Sequence, residues 1–467
     1  MKISAIPQLY RNLRRWREIL AVLRRYGLAD VLSQHRRAPF RKLFKDHRGT
    51  PLAEYTREQR IRMALTDLGP TFIKLGQILA ARPDLVGITL SEELKGLRAN
   101  VRPDSIETVR TTLSRELGAD YESQFQHIES EPLATASIGQ VHRATMNDGQ
   151  KVVIKVQRAG IEKTIKQDIE VLGGLATLAE RVESLRAWRP DDVVRQLAPM
   201  ITRELDFSRE RQSLEHFAIW LSRRQSKVVV PKPVTALCTR RVLVMDELIG
   251  KPLAACLRDP VDEPPEPDSP KDPTTTTTDD ESIEHSSVGI DQITLTAERR
   301  EQISETIAEI YVAMIFDEGL FHADPHTGNL FCLQDGSLGI LDFGMTGRID
   351  ESLRENIEDM IIAISSGDQN RLIRLMRRVG ETPPDLDESA LAIDVADFIG
   401  TYGQQSLNQF DLAGALSALT EVLHSHSIKL PNQSALLLKM MISLEGTLSE
   451  LGARFDSLKV VESFAKK

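Results

Sequence analysis

Residues 322–344 carry the side chains with the most specific chemistry in the chain. They read His322-Ala323-Asp324-Pro325-His326-Thr327-Gly328-Asn329, then Leu330-Phe331-Cys332-Leu333, Gln334-Asp335-Gly336-Ser337 and Leu338-Gly339-Ile340-Leu341. They close on Asp342-Phe343-Gly344. An aspartate and an asparagine five positions apart, with a second aspartate at the end of a short hairpin, suit phosphoryl transfer from ATP. In that chemistry the first aspartate orients the attacking hydroxyl or water. The asparagine and the second aspartate hold Mg²⁺ against the phosphates. The Asp335-Gly336 pair suits a tight hairpin turn, and the apolar runs beside it suit its strands. Each acid alone is as well explained as a turn or capping residue. The assignment rests on the set in register with the hairpin.

Such groups need a partner that delivers a cation to the α- and β-phosphates. Val152-Val153-Ile154-Lys155-Val156 is a β-type run with a lysine near its end. It follows the turn signal Asn147-Asp148-Gly149 and a preceding run, Gln140-Val141-His142-Arg143-Ala144. A helix predicted over 191–221 contains Arg203-Glu204-Leu205-Asp206-Phe207, and we assign Glu204 as the counter-charge of Lys155. Spacing alone leaves Asp206 and Glu210 open. Val242-Leu243-Val244-Met245 reads as a buried strand, and the residues after it, Asp246-Glu247-Leu248, fall where a hinge would meet adenine. Met245, Glu247 and Leu248 are therefore candidates for nucleotide contact.

Two features depart from the protein-kinase pattern. The segment before the lysine strand reads Pro132-Leu133-Ala134-Thr135-Ala136-Ser137-Ile138-Gly139 instead of GxGxxG, so side chains limit how closely its backbone approaches phosphate. After Gly344 only Met345 to Ile349 intervene before Asp350-Glu351 opens a helical pattern, and no Ala-Pro-Glu follows. The platform that would dock a peptide substrate is missing or replaced. A further stretch, Leu68 to Leu85, is apolar at helical spacing and carries Lys74, Gly76 and Gln77.

With 467 residues, 41% apolar and 27% charged, the chain has room for two or three domains of a soluble globular protein. Cys238, Cys256 and Cys332 are too far apart for a CxxC pair or a disulfide framework, which fits a reducing compartment. No run of about 18 apolar residues exists, so no transmembrane helix is predicted. Residues 1–50 carry 13 Lys/Arg against Glu18, Asp30 and Asp46. Leu9, Leu13, Trp16, Leu20 and Leu23 recur there at helical spacing, with Arg11, Arg14, Arg15, Arg24 and Arg25 mostly on the other faces. This helix either docks on the main domain or lies on an anionic membrane. No nucleic-acid motif accompanies the charge. Residues 259–291 carry 11 Asp/Glu against Lys271, with Pro264, Pro265, Pro267, Pro270, Pro273 and a run of five threonines. That composition predicts a disordered insert.

From about residue 20 to its end the chain resembles the UbiB-like atypical kinases, the family of bacterial UbiB and the mitochondrial and plastid coenzyme-Q kinase-like proteins. The residues that carry the resemblance are Lys74-Leu75-Gly76-Gln77 (KxGQ), the alanine-rich loop Ala134-Thr135-Ala136-Ser137, and Val153-Ile154-Lys155-Val156-Gln157-Arg158. Glu204-Leu205-Asp206 matches ExD, and the HxDPHxGN and DFG motifs match in full. Tyr26-Gly27-Leu28, Leu430-Pro431 and Leu444-Glu445-Gly446 also match. Thr135 departs from the family, which usually has alanine there.

The resemblance implies ATP and Mg²⁺ as cofactors. In it, Lys155 contacts the phosphates and pairs with Glu204, and Asp324 orients a water or hydroxyl. Asn329 and Asp342 hold Mg²⁺, and Ala136 and Ser137 line the phosphates. The KxGQ helix would cover the active site, with Lys74 near Glu204 and Asp206, so Lys74, Gly76, Gln77 and Asp206 are expected to regulate access. The implied partners are ATP or ADP, a lipid or membrane surface through the basic N-terminus, and ubiquinone-biosynthesis proteins. The implied location is cytoplasmic and peripheral on the inner face of the cell membrane.

The expected fold is α+β, predominantly helical, in a bilobal protein-kinase-like arrangement. A helical N-terminal extension covers 1–130, a small lobe 131–258, the acidic insert 259–296 and a helical large lobe 297–467.

Overall fold

Apolar spacing of 3.6 dominates the N-terminal third, and the chain folds there as helices. The computed structural model describes residues 6–28, 54–97, 102–182, 189–257, 295–403 and 411–452. The acidic stretch 259–291 and all of the basic segment after Leu28 lie outside the described residues. The first helices are α1 (Ile6–Arg25), α2 (Arg57–Leu68), α3 (Pro70–Ala80), α4 (Pro83–Val86) and α5 (Ile88–Lys95). Gly69 takes a left-handed backbone (φ 93°) between α2 and α3, and Pro70 starts α3 with its φ already set. The apolar face of α1 lies on the body of the protein. Ile19 is buried with Leu68, Phe72 and Val171, and Trp16 and Leu23 pack beside them. Arg15 bonds Asp168 at 2.7 Å from the edge of this face. Trp16 and Leu23 are thus occupied by protein, while Leu13 and Leu20 are exposed.

The small lobe follows with α6 (Ile106–Leu117), β1 (Phe125–Ile128), β2 (Ala134–Thr135), β3 (Gly139–Met146) and β4 (Lys151–Gln157). It continues through α7 (Ile161–Ala179), α8 (Pro190–Glu204), α9 (Phe207–Arg223), β5 (Val228–Val229) and β6 (Val242–Asp246). The antiparallel sheet runs β1-β3-β4-β6, with β2 added to β3. Val109, Leu113, Phe125 and Ile128 share a core with Val152, Ile154, Val242 and Val244. The lobe therefore takes in α6 and β1, ahead of the boundary expected at residue 131. A four-residue strand is recruited by its pairing with β3, not by its own pattern.

The chain crosses to the large lobe at β7 (Gly250–Pro252), which pairs with β9 (Leu330–Leu333) and leads into α10 (Leu253–Cys256). Helix α11 (Ala297–Ala313) is capped by Thr296 and runs on as one π-turn to Glu318. Then come β8 (Leu320–His322), the hairpin of β9 and β10 (Leu338–Ile340), and β11 (Thr346–Arg348). The hairpin lies in a sheet of order β5-β10-β9-β7, and β11 pairs with β8. Asp350 caps α12 (Glu351–Ser365) directly, so little chain separates the hairpin from the next helix. Helices α13 (Gln369–Val379), α14 (Glu388–Tyr402), α15 (Leu412–Ser425) and α16 (Asn432–Glu450) complete the lobe. The architecture is the predominantly helical, two-lobed α+β arrangement expected.

A buried ion pair joins the two ends of the chain. Arg82, fully buried, bonds Asp84 through Nε and Nη2 at 2.9 and 2.8 Å. It also reaches Asn432 Oδ1 and the Leu430 carbonyl, both at 3.0 Å. The Leu430 N–H donates back to Asp84 at 3.2 Å. Every group is satisfied, which a buried pair requires.

Candidate active site

Lys155 stands on β4 opposite Val141 and Leu243, at the centre of the small-lobe sheet. Its ammonium donates to both carboxylate oxygens of Glu210, at 2.9 and 2.7 Å. Glu210 lies in the first turn of α9 and is buried. This corrects the expected partner. Glu204 ends α8 and pairs with Lys74 instead. Asp206 caps α9 by accepting from the Ser208 N–H and lies 3.5 Å from Arg240. Two residues of the ExD motif thus anchor a helix and a second lysine. The glutamate six positions after Glu204 reaches the sheet because α9 starts only at Phe207.

Across the cleft, Asp342 Oδ1 lies 3.8 Å from Lys155 Nζ. Burial works against the charge on Lys155. Glu210 and Asp342 outweigh it and hold the ammonium well above the usual lysine range. Lys155 in turn, with Lys74 behind it, holds the exposed Asp342 carboxyl down at about 2. Asp342 has a left-handed backbone (φ 55°), uncommon for a residue other than glycine. That backbone is fixed from behind. His322 Nε2 donates to the Asp342 carbonyl at 3.1 Å, and Tyr311 O–H donates to His322 Nδ1 at 2.8 Å. Burial keeps the imidazole neutral and the phenol protonated, so this proton arrangement is the one that fits. Phe343 packs its ring 4.9 Å from both His322 and Phe217, the latter on α9. The helix that bears Glu210 is stacked in this way on the hairpin that bears Asp342.

Asn329 and Leu341 are cross-strand neighbours, joined by Leu341 N–H to Asn329 O at 2.9 Å. Asn329 and Asp342 therefore leave the hairpin at the same end. The Asn329 amide N–H₂ donates to the Asp324 carbonyl at 3.1 Å, which turns its Oδ1 acceptor the other way. Asp324 accepts from Lys439 on α16 at 2.7 Å. Burial opposes ionisation of Asp324, and Lys439, together with His326 at 3.6 Å, more than offsets it, so the carboxyl lies below the usual range.

The remaining predicted residues separate into those at the cleft and those that pack beside it. Lys74 reaches the acid cluster from α3. Gly76 does not, because its lack of a Cβ lets Leu97 approach to where that atom would be. The Gln77 amide faces the Leu97 carbonyl at 3.4 Å. The alanine-rich loop is the turn between β2 and β3, closed by Ala136 N–H to Gly139 O at 2.8 Å. Ala134 and Ala136 are exposed on it, Thr135 is half-buried and Ser137 is buried. Met245 is buried against the core. Glu247 is held twice, by its N–H to the Lys151 carbonyl at 3.0 Å and by Arg143 at 2.7 Å. It braces the strand end. Leu248 packs against Gly339 of the hairpin sheet.

The ABC1 atypical kinase-like domain family matches residues 96–376, more than half of the chain. The chain belongs to the UbiB-like atypical kinases. The UbiB helical domain family matches residues 395–456. A protein of Xylella fastidiosa strain 9a5c called "Probable protein kinase UbiB" is 30% identical over 448 residues, 93% of this chain and 74% of that one. An uncharacterized Synechocystis protein, slr0889, is also 30% identical, over 82% of this chain and 88% of its own. The solved structure of Rv3197 with erythromycin, from Mycobacterium tuberculosis, shares the fold at a TM-score of 0.50 and 21% identity. It covers 83% of this chain and 89% of the other.

Two residues of this UbiB-like site, Tyr311 and Lys439, escaped the sequence reading. Glu210 was an open alternative. Tyr311 and Lys439 lie on helices whose apolar periodicity marks them as core, and neither neighbours a motif.

The donor set fits a Mg²⁺-nucleotide. Lys74 and Lys155 face Glu204, Glu210 and Asp342, which leaves one negative charge in excess, on the most exposed of the acids. Among the described residues no three His, Cys, Asp or Glu side chains form a metal cage of their own. Mg²⁺ is commonly held by one or two protein oxygens plus phosphate, and Asp342 and the Asn329 oxygen offer that.

Proposed function

We propose that this protein hydrolyses ATP, or transfers its γ-phosphoryl group to a small or lipid-like acceptor, in a Mg²⁺-dependent reaction. The observation that carries the reading is Lys155 lying between Glu210 on one lobe and Asp342 on the other. It joins a phosphate-binding amine to a metal-binding carboxylate across the cleft. Lys155 and Lys74 would bind phosphate oxygens. Asp342 and Asn329 would hold the metal, which supplies charge neutralisation when bound. Asp324 would orient the attacking water or hydroxyl. Family resemblance adds ubiquinone or related prenyl-lipid metabolism at a membrane surface as the setting. The Arg-rich outward face of α1, with Leu13 and Leu20 exposed, is compatible with that surface.

The test is ATP hydrolysis by purified protein, with Mg²⁺ and with and without anionic liposomes. Asp342→Asn should lower turnover by roughly 10²-fold or more, the scale of lost electrostatic stabilisation at such a site. Unchanged turnover rejects the reading. Adenine nucleotides and Mg²⁺ that produce no heat in calorimetry reject it as well.

A second reading is a nucleotide-gated scaffold, favoured by the Arg82 clamp that ties the N-terminal extension to the C-terminal helices beside the cleft. A hydrolysis-dead Asp324 variant that still complements a deletion would favour it over catalysis.

A further inference from the structure

The loop between Asp324 and Asn329 reads Pro325-His326-Thr327-Gly328 and holds no lysine or arginine. A transferring phosphoryl group gathers charge on its oxygens and needs a cation near the residue that orients the nucleophile. One stands there, supplied from 115 positions down the chain. Lys439 Nζ is 2.7 Å from Asp324 Oδ1, and its side chain is only 18% exposed. Asp324 is its acceptor among the described residues, so two of its three N–H donors have no protein partner. The helix that delivers it is fixed against the same loop. Thr447 O–H donates to the Pro325 carbonyl at 2.6 Å, and the Arg348 N–H donates to the Gln433 side chain at 2.9 Å. Leu436, Leu437, Met440, Leu444 and Leu448 of α16 are buried in the main core. Nothing in this packing requires a charged residue at 439. A leucine or methionine there would suit an amphipathic helix in a core.

We propose that Lys439 binds the γ-phosphate of the nucleotide, so that the C-terminal helical domain completes the catalytic site from outside the kinase-like domain. The inference rests on the ATP reading above and extends it. Lys155 serves the inner phosphates from the small lobe. Lys439 serves the terminal one from α16 while it holds Asp324 beside the nucleophile. Binding of ATP, but not of ADP, then engages the helical domain.

The test compares Mg-ADP with a non-hydrolysable Mg-ATP analogue by calorimetry, in the full chain and in Lys439→Met, with ATP turnover measured alongside. The expected result is ADP affinity within about twofold of the parent and ATP-analogue affinity lower by about tenfold, the scale of one charge-assisted hydrogen bond. Turnover falls at least as far, and Lys439→Arg restores most of both. Lys439→Gln keeps a polar head for Asp324, so it checks whether packing alone explains the loss. It should show the same ATP-selective effect at an unchanged melting temperature. Equal weakening of both nucleotides, or no weakening of either, overturns the role given to Lys439. If Asp342→Asn abolishes turnover while Lys439→Met leaves ATP binding intact, only the Lys439 assignment fails. If the parent protein binds neither nucleotide, both fail.

Discussion

The hairpin region, residues 320–349, and the two helices that flank it, α3 and α16, serve the same cleft by different routes. The hairpin holds Asp324, Asn329 and Asp342 within one local unit, and their spacing along the chain is their spacing in the site. Each flanking helix brings one lysine across more than a hundred residues, Lys74 to Glu204 and Lys439 to Asp324. The hairpin groups are positioned by strand register and a left-handed backbone at Asp342. The helix groups are positioned only if α3 and α16 keep their places, which depends on the Arg82 clamp and the core. Local geometry should therefore persist where the long-range geometry is lost.

The largest test of that difference is Arg82→Met. It leaves the Asp84 carboxylate buried without its cation, so it should cost about 3–5 kcal/mol in chemical denaturation. The double change Arg82→Met with Asp84→Leu removes both charges and should recover most of that loss. If the single variant loses less than about 1 kcal/mol, the clamp does not hold the flanks.

Next comes the choice between two glutamates. Glu210→Gln takes the bidentate partner from Lys155 and should lower turnover about hundredfold, on the scale of a lost hydrogen-bonded charge pair at a buried site. Glu204→Gln frees Lys74 and should lower it by less than about tenfold, because Lys74 lies on a flank. A larger effect at Glu204 than at Glu210 would reverse the assignment of the two pairs.

The same division explains what could be read in advance. HxDPHxGN and DFG are legible because their chemistry is written at short range, with a hairpin turn between them. Lys155 is legible because a β-run after Asn147-Asp148-Gly149 fixes which strand it is on. The partner of Lys155 is not, because Glu204, Asp206 and Glu210 differ only in where one helix stops and the next starts. The cap at Asp206 marks where α9 starts, but which glutamate then faces the sheet depends on how α8 and α9 pack, a tertiary fact. Lys439 is the extreme case. In sequence it is a lysine closing a run of leucines, and only the packing of α16 against the loop at Pro325 gives it a partner. The sheet shows the same limit. β1 and β7 each join a neighbour that no pattern of three or four residues could name.

The smallest expected effect sharpens the hairpin side of the comparison. Tyr311→Phe removes only the hydroxyl that donates to His322 Nδ1 and leaves that buried nitrogen without a donor. The cost should be about 1–3 kcal/mol in stability, the price of an unsatisfied buried acceptor. His322 still donates to the Asp342 carbonyl, so the effect on turnover should be small, about fivefold or less by the usual weight of a supporting hydrogen bond. Thermal denaturation and ATP hydrolysis on the same preparation separate the two. A stability loss with turnover unchanged means that Phe343 packing alone holds Asp342 in place. A turnover loss without a stability loss means that the Tyr311–His322 chain tunes the position of the Asp342 carboxylate, and that the local unit extends one helix further back than its motif.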